Sequence, residues 1–159
     1  KPSDPIYVNA DNNTLLRSFM DFKKSASDKN FRIVHAISVG SPTNLHYTYD
    51  LDKGAIVQIW RGGFLDATPM WNDRGDGSSK PLGKPVLLNH DLFLAKNQSP
   101  WPADTNGTQY KPLGYVLDEN EAPTFKYRIY GSEVEDKIEV TEEKYLTNGV
   151  PPLTFRFAL

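Results

Sequence analysis

The sequence predicts an all-β fold, an antiparallel β-sandwich of about eight strands with a long ordered loop at residues 61–83. Apolar and polar residues alternate with period two through most of the chain, and turns containing Gly or Pro recur at short spacing. Few segments fit helical periodicity. We expect a polar arm or linker over residues 1–13 and a single domain over 14–159 that is a segment of a longer chain.

The first half of the chain predicts four strands. Residues 14–22 fit helical spacing about as well as alternation, and we assign a strand because a clear strand partner follows. The next three are 31–39, 45–51 and 55–60, separated by the turn signals Gly40-Ser41-Pro42 and Asp52-Lys53-Gly54. Segment 31–60 is therefore predicted to be a three-stranded antiparallel meander.

The second half returns to strands after an irregular region. Short strands are expected at 86–88 and 92–95, and longer ones at 114–118, 124–130, 133–140 and 152–159. Strand 133–140 alternates between a charged outer face and an inner face formed by Val134, Asp136, Ile138 and Val140. In the last strand, period two predicts that Leu153, Phe155, Phe157 and Leu159 point inward.

Composition excludes several classes of function. The chain has 159 residues and a formal net charge of −2, which argues against phosphate-driven nucleic-acid binding and against a polybasic membrane anchor. It contains no cysteine, which excludes disulfides, thiolate nucleophiles, iron–sulfur clusters and covalent haem attachment within the chain. No apolar run approaches the roughly 20 residues of a membrane-spanning helix, so the chain is not expected to span a membrane.

The loop at 61–83 is the strongest candidate for a binding site. It is rich in Gly and Asp, and its embedded apolar residues indicate that it is ordered and packed. Aromatic rings stack on the apolar faces of sugars, and carboxylate and guanidinium groups bind vicinal hydroxyls. The candidate ligand-binding residues are Trp60, Arg61, Asp66, Trp71, Asp73, Arg74 and Asp76.

Alternative roles for these residues remain open. The arginines could form ion pairs with Asp66 and Asp73 that hold the loop against the sheet, with the tryptophans filling the core. Asp66, Asp73 and Asp76 could together bind calcium, although the spacing lacks the pattern of an EF-hand loop. For His35 and His46 no third ligand follows from spacing, and no metal site is expected there.

Enzymatic function has weaker support. The chain has no G-x-S-x-G motif and no phosphate-binding glycine motif. A glycosidase- or epimerase-like enzyme would need two carboxylates that face each other across a cleft, and their separation does not follow from the sequence. Catalytic residues therefore stay unassigned.

Several runs resemble an uncharacterised β-rich domain of bacterial exported multidomain proteins. The resemblance is carried by His35–Gly40, His46–Leu51, Trp60–Thr68, Met70-Trp71 and Arg74–Gly77, and by later pieces such as Val134-Glu135-Asp136. It implies an exported location, in the periplasm or at the cell surface, beside a c-type cytochrome module and sometimes a sugar-dehydrogenase-like propeller. Because this chain has no cysteine, any haem would belong to a neighbouring module, and the chain itself is expected to bind no cofactor.

Together these observations predict a non-catalytic accessory domain of an exported redox or sugar-processing protein. We expect it to dock a neighbouring domain or subunit through residues 60–77. A carbohydrate-binding module that uses the same Trp, Arg and Asp residues is the main alternative, and a glycosidase- or epimerase-like enzyme is another.

Overall fold

The computed structural model describes residues 4–23, 31–72, 77–88, 94–100, 102, 104–139 and 141–157. Within these residues the chain forms thirteen β-strands and one short helix, which confirms the predicted all-β class. The fold divides into two compact units. Unit 1 comprises residues 1–50 and 56–89, and unit 2 comprises residues 51–55 and 90–159.

Unit 1 contains two antiparallel sheets. One has five strands in the order β2-β3-β4-β5-β8 and the other has three short strands in the order β1-β6-β7. The predicted meander is confirmed, because β3, β4 and β5 are neighbours in chain order. The elements are β1 Tyr7–Val8, β2 Thr14–Phe22, β3 Phe31–Gly40, β4 Leu45–Asp50, β5 Ala55–Arg61, β6 Leu65–Asp66, α1 Thr68–Asn72, β7 Lys80–Pro81 and β8 Val86–Leu87.

The two sheets of unit 1 share one hydrophobic core, so this unit is a sandwich. Leu65 of β6 and Val8 of β1 pack into the same cluster as Met20, Val57 and Trp60 of the larger sheet. Burial of these apolar side chains is the main source of stability in such a structure. The small sheet is therefore a structural layer of the unit.

The predicted loop at 61–83 supplies most of that second layer. Its first part forms β6 and helix α1, and its last part forms β7, which pairs with β6. Strand β1 pairs with the other edge of β6, so residues 7–8 of the predicted arm are part of the fold. Residues 73–76 lie outside the described residues.

Unit 2 is built on a five-stranded antiparallel meander in the order β13-β12-β11-β10-β9. The turn between β10 and β11 is Tyr130-Gly131, with φ angles of 49° and 77°. This is the two-residue hairpin geometry in which Gly is favoured. It lies one residue before residues 131–132, the gap between the predicted strands 124–130 and 133–140. The strands are β9 Lys111–Leu117, β10 Pro123–Ile129, β11 Ser132–Ile138, β12 Thr141–Leu146 and β13 Leu153–Arg156.

Three sequence expectations for unit 2 differ from the structure. Strand β12 follows β11 directly and was not predicted, because its inward positions carry charged side chains. Leu153 was predicted to face inward but is 47% exposed, because β13 is the edge strand of the sheet. Of the predicted strand 92–95, residues 92 and 93 lie outside the described residues, and residues 94 and 95 are not in a strand.

None of the described residues belong to a helix long and apolar enough to cross a membrane.

Candidate functional site

Trp60 lies in the core of unit 1. Its side chain is fully buried, and its indole Nε1–H donates to the backbone oxygens of Gly63 and Phe64, each at 3.0 Å. The ring stacks on Phe64 with 6.1 Å between centroids. Trp60 therefore offers no free face to a ligand, and of the two predicted roles it has the structural one.

His46 packs against the same aromatic residues, with its ring centroid 5.6 Å from that of Trp60 and 5.2 Å from that of Phe64. The Ser41 backbone N–H donates to Nδ1 at 3.0 Å, so Nε2 carries the proton and donates to the Gly62 backbone oxygen at 2.7 Å. Burial holds the pKa of His46 below its usual 6.5. With both ring nitrogens engaged, His46 fixes the start of segment 61–83 and has no nitrogen left for a metal.

Arg61 and Asp66 are separated by the turn after β5. Arg61 is exposed at the end of β5, whereas Asp66 is half-buried in β6 and its Oδ1 accepts the Thr68 backbone N–H at 2.9 Å. Within the described residues these two side chains form no ion pair with each other. Asp66 instead caps the start of helix α1, which leaves its second carboxylate oxygen for a ligand.

Trp71 is the most exposed large hydrophobic residue among those that the structure describes, with 72% of its surface accessible. It lies in α1, whose start is bound to the chain just before β1. Thr68 Oγ1 accepts the Ile6 backbone N–H at 2.8 Å, and the Ala67 backbone N–H donates to the Ile6 oxygen at 2.8 Å. These bonds hold the helix that carries Trp71 against the residue preceding Tyr7.

The outer face of the small sheet carries a row of three polar and aromatic side chains. Tyr7 lies directly opposite Asp66, and Asp66 lies directly opposite Lys80. Residues paired in this way project from the same face of a sheet. The alternate row, Val8, Leu65 and Pro81, faces the core, so the first row faces solvent; Tyr7 is 56% exposed. We use the name aromatic face for this row, Tyr7, Asp66 and Lys80, together with the exposed Trp71 of the adjoining helix α1.

A cleft of about 430 Å³ adjoins this face at Lys80. Its polar lining residues are Asp21, Lys23, Ser78, Ser79 and Lys80, and its apolar ones are Met20, Phe22 and Pro81. Both Asp21 oxygens accept hydrogen bonds from Arg32, at 2.8 and 3.0 Å, and this pairing lowers the pKa of Asp21. The cleft therefore places Lys23 and Lys80 beside a carboxylate that stays ionised.

The remaining predicted residues, Asp73, Arg74 and Asp76, lie outside the described residues, so the calcium hypothesis stays untested there. Among the residues that the structure does describe, no group of three His, Asp or Glu side chains could hold a metal ion.

Sequence reasoning did not assign a role to a cluster of charged residues in unit 2. Asp136 on β11 is buried together with Glu142 and Lys144 on the neighbouring strand β12. One residue of the cluster was indicated by the sequence, because Asp136 occupies an inward position among apolar residues of its strand. A sugar has no access to these carboxyl groups, so they do not serve as the facing pair that a glycosidase needs.

Comparison with known proteins assigns no relationship: no protein-family model matches the chain, and neither does any curated protein or solved structure.

Proposed function

We propose that the chain is a non-catalytic domain that binds carbohydrate through the aromatic face. The observation that carries this proposal is the exposure of Trp71 on a helix held beside Tyr7 and Asp66. An exposed indole adds little to the stability of a fold, whereas its flat apolar surface is well suited to stack on a pyranose ring.

The polar members of the aromatic face complement the hydroxyl groups of such a ligand. Asp66 offers a carboxylate oxygen as acceptor, and Lys80 offers an ammonium group as donor from the neighbouring strand. Their register is set by backbone pairing, and Asp66 is also fixed by its bond to Thr68. A rigid arrangement of this kind reduces the entropy that is lost when a ligand binds.

The resemblance described above gives this proposal a setting. In an exported bacterial protein, a carbohydrate-binding domain would hold a sugar polymer close to an attached redox or sugar-processing module. Any haem would be held by that module. This chain would contribute recognition through Tyr7 and Trp71.

A glycan array followed by calorimetric titration of the purified chain tests the proposal. We expect at least one glycan to bind, and Trp71→Ala to weaken its affinity by about tenfold or more, which corresponds to about 1.4 kcal/mol. Tyr115→Ala, at a partly exposed tyrosine of β9 outside the aromatic face, is the matched control and should bind normally. Absence of any glycan ligand, or equal binding by the Trp71 variant, would contradict the proposal.

Docking of another domain or subunit is a second candidate, favoured by strand β9. This strand is the last in its sheet, with no further strand beside it among the described residues, and it exposes Leu113, Val116 and Leu117; such an edge is a template for pairing with another strand. If the partner is a second copy of this chain, sedimentation velocity at rising concentration should show a dimer that Val116→Lys abolishes. Val150→Lys, at an exposed valine outside the strands, is the control. A monomer at every concentration would contradict pairing between copies.

A further inference from the structure

Unit 2 buries three ionisable side chains on two neighbouring strands. Asp136 of β11 lies directly opposite Lys144 of β12, and Glu142 lies two residues before Lys144 on the same face. All three are fully buried. Burying charged groups is costly unless they are compensated nearby, so this cluster needs a physical explanation.

The lysine amine is held at close range to a carboxyl group. Lys144 Nζ lies 2.5 Å from Asp136 Oδ2, and it also donates to the Gly54 backbone oxygen at 2.9 Å. Gly54 has a φ of +62°, and a Cβ there would lie 2.8 Å from the Tyr127 ring, so only glycine fits at this position. The amine is therefore fixed between a backbone carbonyl and a carboxyl group, with the Tyr127 ring 5.2 Å away.

Glu142 supplies a second carboxyl group beside the same amine. Its Oε2 lies 3.5 Å from Lys144 Nζ, and neither of its oxygens accepts a hydrogen bond from a residue that the structure describes. Desolvation by burial raises the pKa of Glu142 to about 9, so this side chain is protonated at neutral pH. One cation, one carboxylate and one neutral acid then make the cluster neutral overall.

We propose that Lys144 and Asp136 condense within the folded chain to form an intramolecular amide bond, with Glu142 as the proton relay. The reaction needs an amine held at a carboxyl carbon in a dry site, and the 2.5 Å contact between Nζ and Oδ2 places the two groups within reach. A neighbouring neutral carboxyl group is suited to move protons between them. The product would replace two buried charges by a neutral amide.

The steps balance without any further reactant. A proton passes from Lys144 Nζ to the Asp136 carboxylate, which leaves a neutral amine and a neutral acid. The nitrogen lone pair attacks Asp136 Cγ and forms the Nζ–Cγ bond. Glu142 donates its proton to the departing hydroxyl group and takes one from the nitrogen, so the Cγ–O bond breaks and one water molecule leaves. Glu142 is regenerated in its protonated form.

The intact mass of the purified full chain tests this proposal. We expect it to be lower than the sequence mass by one water molecule under denaturing conditions. After trypsin digestion, a single cross-linked species should join residues 129–137 to residues 138–156, because acylated Lys144 is not cleaved. A chain of full sequence mass would overturn the proposal, as would a loss of water located at Asp136 without Lys144.

Variants separate the proposed roles. Glu142→Gln removes the relay and should restore the full sequence mass, with circular dichroism confirming the β-fold. Asp136→Asn should still react and lose ammonia, so its product should have the same mass as the wild-type product. Lys126→Ala removes an exposed lysine whose Nζ lies 3.8 Å from Glu135 in the same sheet, and it should leave the loss of water unchanged. If the Glu142 variant does not fold, the masses of the wild type and of the Asp136→Asn variant still show whether the amide bond forms.

Discussion

The two described tryptophans of unit 1 differ in environment and should differ in their effect on stability. Trp60 is fully buried against Phe64, whereas Trp71 is largely exposed on α1. We expect Trp60→Ala to lower the free energy of unfolding by about 3–5 kcal/mol, because it leaves a cavity and removes two indole hydrogen bonds. Trp71→Ala should change it by less than about 0.5 kcal/mol. Urea denaturation followed by circular dichroism measures both.

The difference in stability between the Trp60→Ala and Trp71→Ala variants also tests the proposed binding role of Trp71. If Trp71→Ala destabilised the fold as much as Trp60→Ala, Trp71 would have a structural function and its assignment to the aromatic face would be wrong. Tyr7→Ala, at the other exposed aromatic residue of that face, provides a second measurement with the same expected outcome.

Trp60 and Trp71 are both predicted to bind a ligand, and nothing in the sequence distinguishes the buried tryptophan from the exposed one. In β5, every residue from Ala55 to Trp60 is buried. Of these residues, Val57 and Trp60 pack in one cluster with Leu65 and Val8 of the small sheet. Strands of two residues are too short to show a periodic pattern. The small sheet that packs against Trp60 was therefore not predictable from local sequence.

At the scale of the elements, a row of buried polar side chains links three neighbouring strands of unit 1. Thr48 Oγ1 lies 2.9 Å from Ser38 Oγ, and it accepts a hydrogen bond from Gln58 Nε2 at 2.9 Å. All three side chains are buried. The row joins β3, β4 and β5 through hydrogen bonds in addition to their backbone ladder.

Thr48→Val should weaken this link at almost constant volume. The substitution removes the oxygen that Ser38 and Gln58 share, and we expect a loss of about 1–3 kcal/mol in the free energy of unfolding. Thr154→Val, at an exposed position of β13, is the matched control and should have an effect below about 0.5 kcal/mol. Equal effects of the two substitutions in urea denaturation would show that the polar row contributes nothing.

Elements with local signals were predicted well, and those that depend on distant contacts were not. The β3–β5 meander follows from alternation and turn residues that are close in sequence. Strand β12 was missed because its inward residues Glu142 and Lys144 are polar, and only the complementary Asp136 on β11 makes that pattern stable. The aromatic face was found in part, since Asp66 and Trp71 were named but Tyr7 and Lys80 join them only through strand pairing.

At the scale of the whole molecule, charge is nearly balanced, with 18 basic and 20 acidic residues. Long-range repulsion is therefore weak near neutral pH, and the pH dependence of stability should come from a few buried groups. His46 in unit 1 has a lowered pKa. Glu142 in unit 2, which faces Asp136, Lys144 and Tyr127, has a raised one.

His46 and Glu142 change the stability of the fold in opposite directions as the pH rises. The unfolded chain binds the His46 proton below pH 6.5 while the folded chain resists it, so stability falls as the pH is lowered through this range. The folded chain keeps the Glu142 proton up to a pH of about 9, whereas the unfolded chain releases it near 4.5, so stability falls as the pH rises between these values. Between pH 4.5 and 6.5 the two effects oppose each other.

We therefore expect the free energy of unfolding of the whole chain to change little between pH 5 and 6.5, and to fall from pH 6.5 to 9 by at most about 1.4 kcal/mol per pH unit. Urea denaturation at half-unit intervals of pH measures the slope. Glu142→Gln should flatten the slope above pH 6.5 and reveal a loss of stability in acid, whereas His46→Gln should extend the fall toward pH 5.

The same slope above pH 6.5 in the wild type and the Glu142 variant would contradict a buried, protonated Glu142, and would remove the proton relay on which the proposed Lys144–Asp136 bond depends. The slope is the informative quantity, because burial keeps the Glu142 pKa raised whether or not the bond has formed, while the bond itself changes stability at every pH.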